Sequence, residues 1–174
     1  MMALMLLTAC GKDPNVVVKG LQSENPVVRE DMVLVARGVK EKVVRDALIG
    51  ALGDPSDRVR ERAVESLAAH GHKDAVPALI AMLDDSNGVV RMAAVDALGI
   101  LKDSRAVPSL ITYIKAPPPG EFPLNAVWAL GNIGDHQAIP VLSSLRQNED
   151  PYVVYNAEVA LRRLPAVKPK KKKE

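Results

Sequence analysis

Residues 54–83 read DPSDRVRERAVESLAAHGHKDAVPALIAML. An Asp-Pro start, an apolar and charged stretch, a Gly/Asp break and an Ala-Val-Pro restart make up the segment, and it recurs along the chain. Arg29, Arg60 and Arg91 stand 31 residues apart, and Ala63, Ala94, Ala126 and Ala157 follow at steps of 31, 32 and 31. Leu48, Leu79, Leu110 and Leu142 keep the same spacing, as do Pro77, Pro108 and Pro140. Ala36, Leu67, Leu98, Leu130 and Leu161 form a further column. Self-similarity at a period of about 20–50 residues is the signature of a solenoid, in which each unit is stable only because its neighbours cover its apolar sides.

Within a unit the period is helical. Val59, Ala63, Val64 and Leu67 fall on one face and Arg60, Glu61, Arg62 and Glu65 largely on the other. The pattern predicts first helices over 26–38, 56–69, 87–101 and 122–133, with partners over 41–52, 74–83, 104–115 and 136–147. A lone second helix over 13–21 and a lone first helix over 151–163 bracket the array. Asp54-Pro55 and Asp150-Pro151 mark helix starts, because a short acceptor side chain takes orphan amides and Pro fixes the first-turn φ. Pro77, Pro108 and Pro140 belong in the first turn of each second helix, where a missing N–H costs little. The recurring Ala63 column provides a small residue where paired helices approach. The expected fold is therefore all-α, a solenoid of about four helix pairs with half-repeat caps.

Composition narrows the function classes. Of 174 residues, 48% are hydrophobic and only 3% aromatic, so the interior is aliphatic and offers few rings for stacking bases. The net charge is +2, yet five lysines between Lys168 and Lys173, with Glu174, put +4 at the C-terminus and leave −2 on the rest. A body without net positive charge is a poor phosphate-backbone binder, so no nucleic-acid partner is expected. The Lys-rich end from residue 165 reads as a disordered tail, either solubilising or drawn to anionic surfaces. One cysteine, Cys10, excludes an internal disulfide framework.

The recurring columns also carry a resemblance. Asp-Pro-x-x-x-Val-Arg-x-x-Ala-x-x-x-Leu, a Gly/Asp turn, then Ala-Val-Pro-x-Leu-Ile-x-x-Leu, over roughly residues 24–164, resembles the short HEAT-like repeats of the phycobilisome-lyase type. The resemblance implies an α-solenoid in which the arginine of Arg29, Arg60 and Arg91 bridges to an acidic residue of a neighbouring repeat. It also implies second helices on the inner curve, which makes Ser109, Thr112, Tyr113, Ser143 and Ser144 the candidate partner contacts.

The N-terminus resembles something else. Met1 to Ala9 is apolar, and Leu7-Thr8-Ala9-Cys10 is similar to the lipobox of bacterial lipoproteins, with Gly11-Lys12-Asp13 turning polar at once. That resemblance implies a signal-like segment over 1–10 and lipidation of Cys10. The protein would then be tethered to a membrane of the bacterial cell envelope on the periplasmic side. The segment departs from the pattern in lacking a preceding Lys or Arg and in its short apolar run. The alternative is a packed N-terminal helix with a free thiol and a cytoplasmic protein. The repeat domain itself is expected over 13–164.

The fourth repeat breaks the pattern. Ala116-Pro117-Pro118-Pro119-Gly120-Glu121-Phe122-Pro123 replaces the usual start, and Pro123 stands in the Arg column. Phe122 is a candidate docking residue on this stiff loop. Trp128, between the core positions Val127 and Leu130, is expected to fill core volume. His70, His72 and His136 are read as solvated turn histidines. HEAT-type iron hydroxylases use repeated His-Glu pairs, and none occurs, so no metal site and no cofactor are expected. With no nucleophile elbow, phosphate loop or convergent polar cluster, no catalytic residue is expected. The reading is a non-catalytic, monomeric adaptor or scaffold for an unidentified protein partner. An enzyme or enzyme subunit of the bilin-lyase-like HEAT class is the alternative, and a nucleic-acid binder the third.

Overall fold

The computed structural model describes residues 13–119 and 124–165, and these form helices and no strand. The helices are α1 (Pro14–Leu21), α2 (Pro26–Ala36), α3 (Lys42–Gly50), α4 (Asp57–Ala69) and α5 (Val76–Ala81). They continue with α6 (Gly88–Leu101), α7 (Val107–Lys115), α8 (Leu124–Ile133), α9 (Ile139–Leu145) and α10 (Pro151–Arg163). Each expected helix is present, and the solenoid is the observed architecture. Leu48, Leu79, Leu110 and Leu142 are fully buried, as are Ala63, Ala94, Ala126 and Ala157, and Leu67 and Leu98 hold equivalent places. Pro77, Pro108 and Pro140 open α5, α7 and α9, each behind a 3-10 turn.

The helices form two rows of unequal closeness. Even-numbered helices stack directly on one another, α2 on α4, α4 on α6, α6 on α8 and α8 on α10. In the other row, α5 meets its successor chiefly through the 3-10 turn that leads into α7. Small residues set the difference. A Cβ on Gly99 of α6 would lie 2.9 Å from the Cα and Cβ of Ala129 on α8. Gly131 stands one repeat on, and its Cβ would come equally close to Ala160 on α10. Ala68 and Ala97 occupy the same two columns one repeat earlier. Where Arg37 replaces the small residue, its Nε donates to the Ser66 hydroxyl at 3.2 Å, which explains why Ser66 is the one buried polar residue among those described. Rows packed at unequal spacing bend toward the tighter one, so α2, α4, α6, α8 and α10 form the inner row. This differs from the expectation drawn from the resemblance. Each outer helix also packs closely on the inner helix that follows it, α1 on α2 through α9 on α10. The two end helices are thereby covered by partners.

Arginine clamps tie consecutive repeats. Arg29 grips Asp54 through Nε and a terminal nitrogen at 2.6 and 2.8 Å, and Arg60 grips Asp85 at 2.7 and 2.8 Å. The third guanidinium nitrogen donates to the chain leading into the arginine's own helix, from Arg29 to the Ser23 carbonyl and from Arg60 to that of Asp54. The sequence places Asp54-Pro55 at the start of the second repeat's first helix. Instead Ser56 precedes α4, and the Asp54 carboxylate takes the Ser56 amide and Arg29. Asp150, by contrast, caps α10 as expected, accepting from Tyr152 N–H at 2.8 Å. Arg91 likewise donates to the carbonyls of Asp85 and Ser86, in the chain leading into its own helix.

The Arg60 hydrogen bond is the main cause holding the Asp85 carboxyl below its usual range. A depressed acid contributes stability that is complete above its unfolded pKa, about 3.9, and is lost as pH falls through the folded value. Asp85→Asn removes a bidentate, charge-assisted pair whose carboxylate is nearly covered, and is expected to cost about 2 kcal/mol in urea unfolding at pH 7. An unchanged midpoint would show that the clamp contributes nothing.

Candidate functional site

Burying one stripe of each inner helix leaves another facing the inside of the curve, and that stripe is not uniformly polar. Among the described residues, eight of the ten exposed large hydrophobics lie on inner helices, namely Val27, Leu34, Val89, Met92, Ile100, Trp128, Tyr152 and Tyr155. This bias selects the inner face as the candidate interaction surface. A groove of about 330 Å³ runs along it between α4 and α6. Alanines form its floor, Met92 and Ile100 its apolar wall, and Glu61, Glu65 and Asp96 its carboxylates.

Glu65 and Asp96 differ in what satisfies them. Glu65 accepts from Arg37 at 2.6 Å and Arg62 at 3.2 Å. Asp96 accepts from the Asn125 side-chain amide on α8 at 3.0 Å. Burial pushes the Asp96 carboxyl above its usual range, and the Asn125 hydrogen bond offsets this only in part. On α8, the Trp128 ring fills the space above Gly99 of α6. It was expected in the core, yet remains 38% exposed, because the contact column at Gly99 leaves room for an indole on the solvent side.

The sequence-derived contact residues lie elsewhere. Ser109, Thr112 and Tyr113 line a smaller depression of about 230 Å³ on the outer row, between α5 and α7. The Thr112 hydroxyl donates to the Pro108 carbonyl at 3.1 Å and that of Ser144 to Val141 at 2.8 Å. Both are thus engaged by their own helix. Ser143 is exposed on α9. The structure brings the first three together, while Ser143 and Ser144 sit one repeat away. Phe122 lies outside the described residues, as do Cys10 and the whole lipobox segment. What the sequence reading missed was the column of Glu65, Asp96 and Trp128, one residue per repeat. Its signal was present in the spacing but mixed in polarity.

Two of the three histidines also differ from expectation. His70 and His72 are half-buried, with ring centroids 5.2 Å apart and edge-to-face. His70 Nδ1 and His72 Nε2 are covered without a protein partner. His136 is exposed, its Nε2 lying 2.8 Å from the Pro165 carbonyl oxygen. Among the described residues no group of three or more His, Cys, Asp or Glu is placed to hold a metal ion, and no helix is long and apolar enough to cross a membrane.

Comparison with known proteins agrees with this geometry. The HEAT-repeat family model matches residues 14–87 and 45–122, and the phycobilisome (PBS) lyase HEAT-like repeat model matches 123–148. The chain is similar to one from the CpcE–CpcF complex of phycocyanin lyase from Nostoc sp. PCC7120, at 30% identity and a TM-score of 0.74. That match covers 87% of this chain and 65% of the other, so the chain spans just under two thirds of that relative's length. A designed armadillo-repeat protein in complex with a (KR)4 peptide is similar at 21% identity and TM-score 0.67, covering 94% of this chain and 85% of that one. A computationally designed armadillo-repeat protein for modular peptide recognition is similar at 21% and 0.60, covering 86% and 81%. At that identity both show the fold alone. No curated protein matches the sequence. The expectation of a chain with no part in an enzyme is corrected here, since the 123–148 match and the Nostoc match both point to lyases.

Burial first, then the nearby His70 and Arg45 charges, hold the His72 imidazole below its usual pKa, with Asp74 opposing. A depressed histidine contributes stability that is full above its unfolded pKa, about 6.5, and is lost as pH falls through the folded value. The thermal midpoint is expected to fall between pH 7.5 and 5, and His72→Asn to flatten that slope. Equal slopes in both proteins would rule His72 out as the cause.

Proposed function

We propose, for a chain that belongs to the HEAT-repeat family, that it is the repeat subunit of a bilin-lyase-like enzyme. The observation that carries this is the 30% identity, over 87% of the chain, to a chain of the phycocyanin lyase complex. The match of residues 123–148 to the PBS lyase HEAT-like repeat supports it independently. In this reading the inner face, with its exposed Met92, Ile100, Trp128, Tyr152 and Tyr155, seats a protein, either the second subunit or the acceptor of the bilin. The chain contributes positioning, holding two macromolecules in one geometry. The purified protein is expected to replace CpcE beside CpcF in attaching bilin to apo-phycocyanin, read as covalent bilin absorbance on the acceptor. No attachment above CpcF alone, with CpcE–CpcF active in parallel, would contradict it.

A protein-interaction scaffold is the second reading, favoured by the concentration of exposed apolar side chains on the inner row. Ser109, Thr112, Tyr113, Ser143 and Ser144 then become secondary contacts on the outer row. A nucleic acid fits neither reading, because Glu61, Glu65 and Asp96 line the groove.

We also propose that Cys10 is lipidated, holding the repeat array, residues 13–164, at a membrane of the cell envelope. The Leu7-Thr8-Ala9-Cys10 pattern and the polar Gly11-Lys12-Asp13 support it. The intact mass of the native protein is expected to show loss of Met1–Ala9 and added acyl chains. Retention of Met1–Ala9 with a free thiol would place the protein elsewhere.

A further inference from the structure

We propose that the groove between α4 and α6 seats a partner segment that presents a Lys or Arg side chain next to an apolar one. This rests on the inner face being the partner-binding face, and it names the chemistry of what binds. The contrast among carboxylates motivates it. Asp54 and Asp85 are each gripped by an arginine through two hydrogen bonds, and Asp103 is likewise held by Arg105 at 2.9 and 2.8 Å. Asp96 is half-buried, yet a neutral amide is its hydrogen-bond donor. Removing a carboxylate from water without a cation costs free energy that a partner's cation would recover.

The surroundings fit a basic side chain with an apolar neighbour. Glu61 of α4 and Asp96 of α6 both line the groove, so a cation placed between α4 and α6 meets negative charge from both helices. Met92 and Ile100 stand 51% and 54% exposed beside it, offering adaptable apolar contact to the carbon stem of Lys or Arg and to an adjacent aliphatic residue. The volume suits one or two side chains. An anionic ligand would face Glu61, Glu65 and Asp96 together.

Trp128, the only tryptophan, lies against Gly99 on α6, the helix that supplies Asp96, Met92 and Ile100 to the groove, and serves as the optical probe of this face. The test titrates the full chain with a helical Lys/Leu peptide and with its Glu/Leu counterpart, following Trp128 emission. The Lys/Leu peptide is expected to bind saturably and to weaken with salt. Asp96→Asn combined with Glu61→Gln is expected to weaken it at least tenfold, whereas Val43→Ser on the outer row is expected to leave it unchanged. Met92→Ser provides a second, charge-neutral variant and is expected to weaken binding severalfold at high salt. Equal binding of the Glu/Leu peptide, or no loss in the double variant with its fold intact by circular dichroism, would overturn the proposal. So would a dimer that buries this face, or peptide binding only after deletion of Lys168–Glu174. Peptide discrimination without bilin attachment would uphold this inference while removing the lyase reading, and the reverse result would do the opposite.

Discussion

The closeness of successive inner helices is the constraint on which the rest of the molecule depends. Gly99 against Ala129 and Gly131 against Ala160 leave no room for a side chain between backbones, so dispersion and burial act over the full length of each helix. The outer row has no such columns. It is joined by longer polar reaches instead, such as Arg105 to the Lys73 carbonyl at 2.6 Å and Arg45 to Asp74 at 2.5 Å. A tight row beside a loose one makes a curved array, and the curve decides which residues face a partner.

Much of this architecture was legible in the sequence. The Leu48 and Ala63 columns gave the repeat and its core because burial acts identically on each copy. Pro77, Pro108 and Pro140 placed the outer helices because proline's missing N–H is tolerated only at a helix start. The sense of curvature was harder to read. Columns of Ala and Gly at 68, 99 and 131 look like ordinary core filler, yet in the fold Gly99 and Gly131 face the next repeat rather than the partner helix. Contact candidates on the outer row followed from that ambiguity. Asp54 was similarly misread, since the same Asp-Pro pair serves as a cap at 150 and as an arginine acceptor at 54. The difference lies in register, since Asp150 occupies the position of Ser56, and Asn148 that of Asp54.

The site was less legible than the fold because its parts are not identical copies. Glu65, Asp96 and Trp128 share one column but no chemistry, so repetition, the signal that exposed the core, obscures them. The same logic explains why a lyase connection could not be read from catalytic motifs. A subunit that works by positioning others needs shape and surface rather than a nucleophile, and the inner face provides both.

The direction of curvature can be measured directly with pairs of spin labels two repeats apart. One pair goes on the inner row at Met92 and Tyr155, and the other on the outer row at Ala81 and Ser144. The account predicts a shorter distance for the inner pair by pulsed electron paramagnetic resonance. A longer inner distance would mean that the array bends the other way, and that the groove between α4 and α6 lies on its convex side.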